Sequence, residues 1–495
     1  MIFDRSARLE KEMASAESYE EWANAAKHYD YYNRLDEWKE REESAKYDYV
    51  AIRDRLEQLR ALRRKSDSHG LLFTLNEGIH GNMSGMGRHS LYEEAMFGTK
   101  QLIVDYVDEI VSALKYLSSG RVRKIHIDEK IEFFNRASHC FGHTAFLMSG
   151  AGSLLYFHLG VVKALWEQRL LPRVVSGSSG GALVAALIGT HTDEELDKMF
   201  DPTFLGMEIE KEAGIWRLPL IGGSNRVSSD EVTDVICRLI PDLTFEEAEE
   251  RTGYQVNISV APAETHQTSR LLNSTTSPNV MIREAVLASC AVPGFYPPVS
   301  LAAKDENGNR KAYLPARKWV DGSVAEDLPI KRLSRLYGVN HTIVSQTNPI
   351  VLPFVNAKKQ QQSAWDILQN AGLTTWKEWT LAVARLAQKP ARHSELASRW
   401  LDTFTSVVKQ TYTGDITILP SSRAHNPVRA LSFRETEEAM DLIRDGERAT
   451  WPKVEMIRTQ TKIGRTLEDI IERLEDSVVA NAQAHESEVL KLVSG

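Results

Sequence analysis

A G-x-S-x-G motif constrains the fold of this chain more than any other feature, and its central residue is Ser179. Residues 171–175 precede the motif, are largely apolar and end in two valines, as expected of a buried strand. Residues 182–188 follow it and are mostly good helix formers. Strand, sharp turn and helix form the context that places such a serine at a strained turn. We therefore expect an α/β sheet with Ser179 above it.

Two glycines of the motif, Gly177 and Gly181, are expected to support this turn. Strand and helix backbones pack closely there, so that a side chain at either position would not fit. The turn would place the serine hydroxyl at a helix N-terminus, where backbone N–H groups and the helix dipole stabilise a developing negative charge. The five residues also occur by chance in unrelated chains, so the interpretation depends on two further motifs.

A second glycine-rich turn lies upstream of the motif. Residues 145–148 are expected to form a strand that leads into Gly150, Ala151 and Gly152, and a helix with apolar residues at helical spacing follows. Such a turn presents several N–H groups in a small arc, which suits a phosphate or the oxyanion of an acyl-transfer intermediate. A dinucleotide-binding fingerprint is disfavoured because Leu155 occupies the position of its third glycine.

An aspartate at the end of a short predicted strand forms the third motif. Trp319 and Val320 precede Asp321, and Gly322 supports the turn that follows. An isolated Asp-Gly pair is usually no more than a turn. Beside a serine elbow, however, this carboxylate is well placed to be the base that a serine nucleophile requires.

Together the three motifs resemble those of the patatin-like phospholipases. The resemblance implies a three-layer α/β core with a mostly parallel sheet, flanked by an N-terminal helical domain and C-terminal helices. It implies a Ser–Asp dyad that uses no histidine, metal or cofactor, with Ser179 as the nucleophile and Asp321 as the general base. It assigns the oxyanion hole to three backbone amides, those of Gly150, Ala151 and Gly152.

The N-terminal region narrows this resemblance to one group of lipases within the family. Residues 22–27, 38–39, 47–49 and 98–100 are similar to the N-terminal domain of the fungal and plant triacylglycerol lipases of lipid droplets. The implied activity is the release of fatty acid from glycerolipid through an acyl-serine. The implied substrate is triacylglycerol or another neutral glyceride at a lipid-droplet or membrane surface. Membrane phospholipid is the alternative substrate, cleaved by phospholipase A-type activity.

Two rival interpretations remain open at this stage. A Ser–Asp–His triad would require a histidine after Asp321, and His341 is the candidate nearest to a predicted core strand. A lipid-binding scaffold would keep the fold without catalysis, although it would have no need of Ser179 or Asp321.

Composition limits the partners and the compartment. The chain has 495 residues, a formal net charge of -8 and no basic tail, which argues against nucleic-acid binding. Its three cysteines are scattered and indicate a reducing compartment rather than a metal site or disulfides. Because the sequence shows neither a signal peptide nor a sufficiently long apolar run, we expect a cytoplasmic protein that associates peripherally with lipid. The oligomeric state is left open.

Five regions are expected along the chain. They are a helical N-terminal domain (1–118), a linker (119–140), the catalytic core (141–350), a tryptophan-rich helical insertion (351–410) and a C-terminal strand with helices (411–495).

The insertion at 351–410 has an unusual composition. It contains Trp365, Trp376, Trp379 and Trp400 among basic residues. Tryptophan rings and cations on amphipathic helices are typical of segments that bind a lipid interface. The alternative is a pair of core helices that bury the rings.

Overall fold

The computed structural model describes residues 2–77, 79, 82–201, 204, 206–207, 229–264, 268–293, 296–323, 326–349, 351–352, 412–421 and 435–494. The chain divides into two compact units. One comprises Met1–His143 and Trp451–Gly495, and the other comprises Thr144–Thr450. Nearly all of the tryptophan-rich segment 351–410 lies outside the described residues.

The first unit is helical. Its helices before His143 are α1 (Ile2–Ser15), α2 (Tyr19–Tyr32), α3 (Leu35–Glu40), α4 (Tyr49–Arg64), α5 (Ser68–Asn76), α6 (Gln101–Ser118) and α7 (Ile127–Phe141). Helices α4 and α6 pack against each other. Helix α4 buries Ile52, Leu56 and Leu59, and α6 buries a stripe that includes Ile110 and Leu114. This helical spacing of apolar residues explains the packing.

The segment 119–140, predicted to be a linker, instead contains most of α7. The helix buries Phe133, Phe134, Ala137 and Phe141. This apolar stripe is interrupted by charged residues, so the stretch has a polar composition although one of its faces belongs to the core. The helical unit consequently extends to His143.

The second unit is built on a sheet. Its strands are β1 (His143–Met148), β2 (Val174–Gly177), β3 (Gln255–Pro262), β4 (Arg270–Leu272), β5 (Leu301–Lys304), β6 (Arg310–Tyr313), β7 (Trp319–Asp321), β8 (Val339–Ser345) and β9 (Ile416–Ile418). The order in the main sheet is β4-β3-β2-β1-β8-β9, and β7 also pairs with β3. The pairs β1–β2, β2–β3 and β8–β9 are parallel. The mostly parallel α/β core predicted from the sequence is confirmed.

Helices connect and flank these strands, as the parallel order requires. They are α8 (Leu155–Glu167), α9 (Gly180–Thr190), α10 (Asp193–Met199), α11 (Ser229–Leu239), α12 (Phe245–Thr252), α13 (Ile282–Cys290) and α14 (Ile330–Tyr337). Helix α9 is buried from Gly180 to Thr190, which explains why residues 182–188 carry no polar face.

Strands β2 and β7 pair with the same edge of β3, and β7 pairs with it beyond the point where β2 ends. The last residue of β2, Gly177, pairs with Ile258, and Asp321 pairs with Val260 further along β3. Because Val260 also pairs with Arg270 of β4, β7 must occupy the side of β3 that β2 has left. This exchange of partners places Asp321 directly beyond the turn that follows β2.

The last helix, α15 (Thr436–Ser494), is a single element that includes Pro452. The sequence predicts two helices there, at 434–447 and 466–480. The early part packs closely on α8, because a Cβ on Gly160 would lie 1.9 Å from the Ile443 carbonyl oxygen and one on Gly446 would lie 2.2 Å from that of Phe157. In the described part of the chain, no helix is long and apolar enough to cross a membrane.

Candidate active site

Ser179 occupies the turn between β2 and α9 in a strained conformation. Its backbone angles are φ 52° and ψ -123°, a combination that is unfavourable for a residue with a Cβ. A Cβ on Gly177 would lie 2.1 Å from the Gly181 carbonyl oxygen, and one on Gly181 would lie 2.5 Å from that of Met148. Both glycines are therefore required by close packing. Strain and packing together are the geometry of a nucleophile elbow.

Buried hydrogen bonds hold this turn in place. The Ser179 N–H donates to Ser289 Oγ at 2.9 Å. The Ser289 hydroxyl then donates to the Ser259 carbonyl oxygen at 2.8 Å. On the other side, the Ser178 hydroxyl donates to the main-chain carbonyl of Asp327 at 3.0 Å. Strain at one residue persists because its neighbours are fixed in this way.

The Asp321 carboxyl lies beside the Ser179 side chain, close enough for that hydroxyl to lower the pKa of the carboxyl. Its Oδ1 also accepts the Ser323 N–H at 2.8 Å, and the residue is only 2% exposed. Burial raises the pKa of Asp321 to about 6, while the hydrogen bond from Ser323 and the nearby Ser179 hydroxyl oppose that rise. Gly322 allows the close approach, since a Cβ there would lie 2.3 Å from the Ser259 carbonyl group. The carboxylate is thus a stronger base than an exposed aspartate, yet ionised at neutral pH.

The glycine-rich loop lies between β1 and α8 and faces the start of α9. A Cβ on Gly180 would lie 3.1 Å from Ala151 Cβ and 3.2 Å from the Gly152 carbonyl oxygen. The Gly150 N–H donates to Asp327 Oδ1 at 2.7 Å. Within the described residues, the N–H groups of Ala151 and Gly152 donate to no protein acceptor. Of the three amides predicted to bind an oxyanion, one is therefore already engaged.

A buried network of hydrogen bonds joins the start of this loop to the end of β8. Ser149 Oγ accepts the N–H groups of Thr347 at 2.9 Å and Asn348 at 3.2 Å. His158 is fully buried, with Nδ1 2.7 Å from Ser345 Oγ and Nε2 3.0 Å from the Ser149 carbonyl oxygen. Burial lowers the pKa of His158 to about 4, so that the ring is neutral at physiological pH. The network fixes the loop to the end of β8.

The histidine considered for a triad lies at the other end of the strands. His341 Nδ1 is 3.1 Å from Thr144 Oγ1, near the start of β1. Ser179 follows the carboxyl end of β2, which runs parallel to β1. At about 3.3 Å per residue, the two positions are separated by roughly 10 Å or more. The geometry favours the Ser–Asp pair over this triad. Among the described residues, no three His, Cys, Asp or Glu side chains are grouped to hold a metal ion.

An apolar cavity lies along α8 and α9, the two helices that begin at the site. It encloses about 660 Å³, a volume that includes open solvent at its mouth. Leu155 is the first residue of α8 and Leu183 lies in the first turn of α9, so the cavity begins close to both loops. Further lining residues come from α8, α9, α10 and α11 and include Leu159, Leu187, Met199 and Leu239, and Phe200 directly after α10 also lines the cavity.

Sequence reasoning missed three residues that shape this site. Ser289 supports the elbow, Asp327 holds Gly150, and His158 supports the loop. Ser289 lies in the segment 285–295, which resembles the patatin-like family between elbow and aspartate, and that resemblance was the available signal. Nothing near Asp327 or His158 in the sequence distinguishes them from ordinary residues of a turn and a helix, since each acts on a partner distant in sequence.

Comparison with protein families gives two matches. Residues 146–333 match the family model described as patatin-like phospholipase. Residues 1–139 match a domain of unknown function, DUF3336. The boundary between the two matches agrees with the division of the structure near His143.

Similar curated proteins are named as patatin-like phospholipase domain-containing proteins. One from Coccidioides immitis is 34% identical, covering 93% of this chain and 66% of that protein. One from Neosartorya fischeri is 33% identical, covering 92% and 67%. One from Cryptococcus neoformans is 32% identical, covering 93% and 54%. The chain thus spans between about half and two thirds of the length of the curated relatives it matches.

These matches show that the chain belongs to the patatin-like phospholipase family, as its motifs indicate. Among solved structures, VipD from Legionella pneumophila aligns with 61% of this chain and 67% of its own at 12% identity. The TM-score of 0.26 for that alignment is too low to support an argument about the fold.

Proposed function

We propose that this chain is a serine lipid acyl hydrolase that releases fatty acid from glycerolipids, with neutral glycerides such as triacylglycerol as its main substrate. The observation that carries the proposal is the placement of the Ser179 side chain, at a strained elbow, beside the buried Asp321 carboxyl. A serine next to a base is the arrangement that covalent acyl transfer requires. Family membership supports the same class of reaction.

In the first step Ser179 Oγ attacks the ester carbonyl carbon while Asp321 accepts the hydroxyl proton. The negative charge on the carbonyl oxygen is stabilised by the N–H groups of Ala151 and Gly152 and by the N-terminus of α9. Collapse of the tetrahedral intermediate breaks the ester C–O bond, and Asp321 returns the proton to the departing alcohol. The product of this step is an acyl-serine.

In the second step water replaces the alcohol. Asp321 accepts a proton from the water as its oxygen attacks the acyl carbon, and the same amides stabilise the second oxyanion. Ser179 then leaves, recovers its proton from Asp321 and releases the fatty acid. Each of these proton transfers uses a carboxylate that is ionised above a pH of about 6.

The apolar cavity supports a substrate with a long acyl chain. Its described lining residues are almost all aliphatic or aromatic, and it begins beside both loops of the site. Burial of a methylene group contributes about 0.8 kcal/mol, so an acyl chain in this cavity would bind appreciably. Introducing Leu159→Trp should therefore lower activity on long-chain p-nitrophenyl esters far more than on the butyrate.

The matched control is Leu336→Trp on α14, because Leu336 is also half-buried and packs in a different part of the unit. If Leu159→Trp reduced activity on all chain lengths equally, the cavity would not be the acyl site.

We further propose that residues 351–410 help the enzyme to bind a lipid-droplet or membrane surface. The support is the composition of the segment, which combines tryptophans with basic residues. The double variant Trp376→Ala and Trp379→Ala should lower activity on emulsions or liposomes much more than on a dissolved short-chain ester. Equal losses on both would contradict this role.

The test of the proposed function compares wild type with Ser179→Ala on triolein emulsion and on phosphatidylcholine liposomes of matched surface. Serine-dependent fatty-acid release mainly from triolein is expected. Release mainly from liposomes would identify the phospholipase A-type alternative. If neither lipid gave serine-dependent release, the proposed function would be overturned, and a small-ester hydrolase or a lipid-binding scaffold would remain.

A further inference from the structure

One buried carboxyl, that of Asp327, contacts the segments that build the active site. Its Oδ1 accepts the Gly150 N–H of the glycine-rich loop at 2.7 Å. Its Oδ2 accepts the side-chain amide of Asn348, beyond β8, at 3.1 Å. Its main-chain oxygen accepts the Ser178 hydroxyl of the elbow at 3.0 Å. Asp327 is only 1% exposed and lies in the connection from β7 to α14.

These contacts determine how the glycine-rich loop presents its amides. Gly150 cannot turn its N–H toward a substrate without losing a short, buried hydrogen bond. The preceding residue, Ser149, is fixed by the N–H groups of Thr347 and Asn348. With both residues held, the next two amides, of Ala151 and Gly152, have a fixed direction. A fixed direction matters, since an oxyanion hole stabilises charge only if its donors are already oriented.

Burial alone does not explain the presence of a carboxyl here. Burial raises the pKa of Asp327 to about 7, and the N–H groups of Gly150 and Asn348 oppose that rise while the Asp321 charge adds to it. A carboxyl in this position is therefore held at a cost in stability. Such a cost is commonly found at functional sites, where it is offset by the gain in activity.

We propose that Asp327 is a positioning residue that orients the Ala151 and Gly152 amides for the oxyanion by binding the Gly150 N–H. This inference rests on the proposed acyl hydrolase function. Asp327 itself does not touch the substrate in this scheme. A misplacement of about 1 Å in such a site can lower the rate by about 100-fold, so the effect should be large although indirect.

The experiment measures kcat and KM on p-nitrophenyl butyrate for wild type, Asp327→Ala and Asp327→Asn. Active sites are counted by exhaustive labelling of Ser179 with a fluorophosphonate, so that kcat refers to labelled serine and not to total protein. The control is Asp415→Ala, which removes an acceptor of two hydrogen bonds from Thr342, each 2.8 Å long. Asp415 precedes β9, at the opposite end of the strands from the site.

For Asp327→Ala we expect kcat per labelled serine to fall by about 10- to 100-fold with little change in KM. Asp327→Asn should keep most of the activity, because its amide oxygen can still accept the Gly150 N–H and Asn348 can rotate to accept its NH2 group. Asp415→Ala should keep the wild-type kcat per labelled serine. If Asp327→Ala fails to fold, Asp327→Leu removes the same acceptor with a side chain of similar shape.

A different pattern would overturn the inference. A purely structural role predicts fewer labelled serines and a lower Tm, with normal kcat for each serine that remains. A loss in Asp327→Asn as large as that in Asp327→Ala would show that charge, not the Gly150 contact, is what matters. Absence of Ser179-dependent hydrolysis by the wild type would overturn the proposed function itself, so the two failures can be distinguished.

Discussion

Asp321 ends β7 and Asp327 lies in the connection from β7 to α14, and both carboxyls are almost fully buried. Burial raises the pKa of each above the ordinary value for aspartate. Their neighbours differ. Asp321 lies beside the Ser179 hydroxyl, which can give up a proton. Asp327 accepts the Gly150 N–H and the Asn348 amide, groups that do not give up a proton at any relevant pH.

The comparison teaches that residue type and burial do not assign a role to a carboxyl. A buried aspartate next to the hydroxyl of a nucleophile can act as a base, and one that accepts amide N–H groups from neighbouring loops can hold those loops in place. The two roles are separable by substitution, because asparagine can accept a hydrogen bond but cannot serve as a base near neutral pH.

The largest expected effect is that of Asp321→Asn. Loss of the base should lower kcat on p-nitrophenyl butyrate by about 1,000-fold or more, as removal of a catalytic partner does in other serine hydrolases. Asp327→Asn provides the matched control, since it makes the same change at the other buried aspartate and should keep most of the activity. Similar losses in the two variants would show that the comparison is mistaken.

The next effect is a pH dependence that we assign to Asp321, because its carboxyl lies beside the Ser179 hydroxyl. Because the reaction requires the ionised carboxylate, kcat/KM should fall about tenfold per pH unit below a pH of about 6. The measurement is a pH profile on p-nitrophenyl butyrate for wild type and Asp327→Asn. Both should show the acid limb. Its disappearance in Asp327→Asn would assign the titrating base to Asp327.

A smaller effect is expected from Ser289→Ala. Ser289, like Asp327, holds part of the active site in position and takes no part in the reaction. The variant leaves the Ser179 N–H without its acceptor, and an unsatisfied buried donor costs about 1–3 kcal/mol. We expect kcat to fall by about tenfold and the Tm to fall by a few degrees. Ser259 loses a donor as well, so Ser289→Thr, which keeps the hydroxyl, is the control. Unchanged kcat in Ser289→Ala would contradict a positioning role.

The smallest effect concerns stability. The folded-state pKa of Asp321 is raised, so the folded protein favours the neutral carboxyl, and its contribution to stability is lost as the pH rises through about 6. Asp321→Asn should therefore unfold less readily than wild type at pH 7.5, by at most about 3 kcal/mol. The difference should shrink toward pH 4, where wild-type Asp321 is also neutral. Thermal unfolding at both pH values tests this, and a difference that grows at pH 4 would contradict it.

Local patterns predicted much of this fold correctly. The strands around Leu147 and Val175 are short apolar runs, and both lie in the main sheet. Local patterns failed where packing overrides them. Helix α15 continues through Pro452, although proline and the change in polarity suggest two separate helices. The prediction for the tryptophan-rich segment 351–410 remains a prediction.

The sequence by itself determined the elbow, since Gly177, Ser179 and Gly181 satisfy requirements that are local to one turn. It also indicated Asp321, because an aspartate after a strand is visible without knowing its partner. Only the tertiary structure decided that Asp321 reaches Ser179, by placing β7 on the edge of β3 that β2 leaves free. Only it assigned Asp327 to the Gly150 N–H, because that contact joins positions 177 residues apart, and no local pattern records such a pairing.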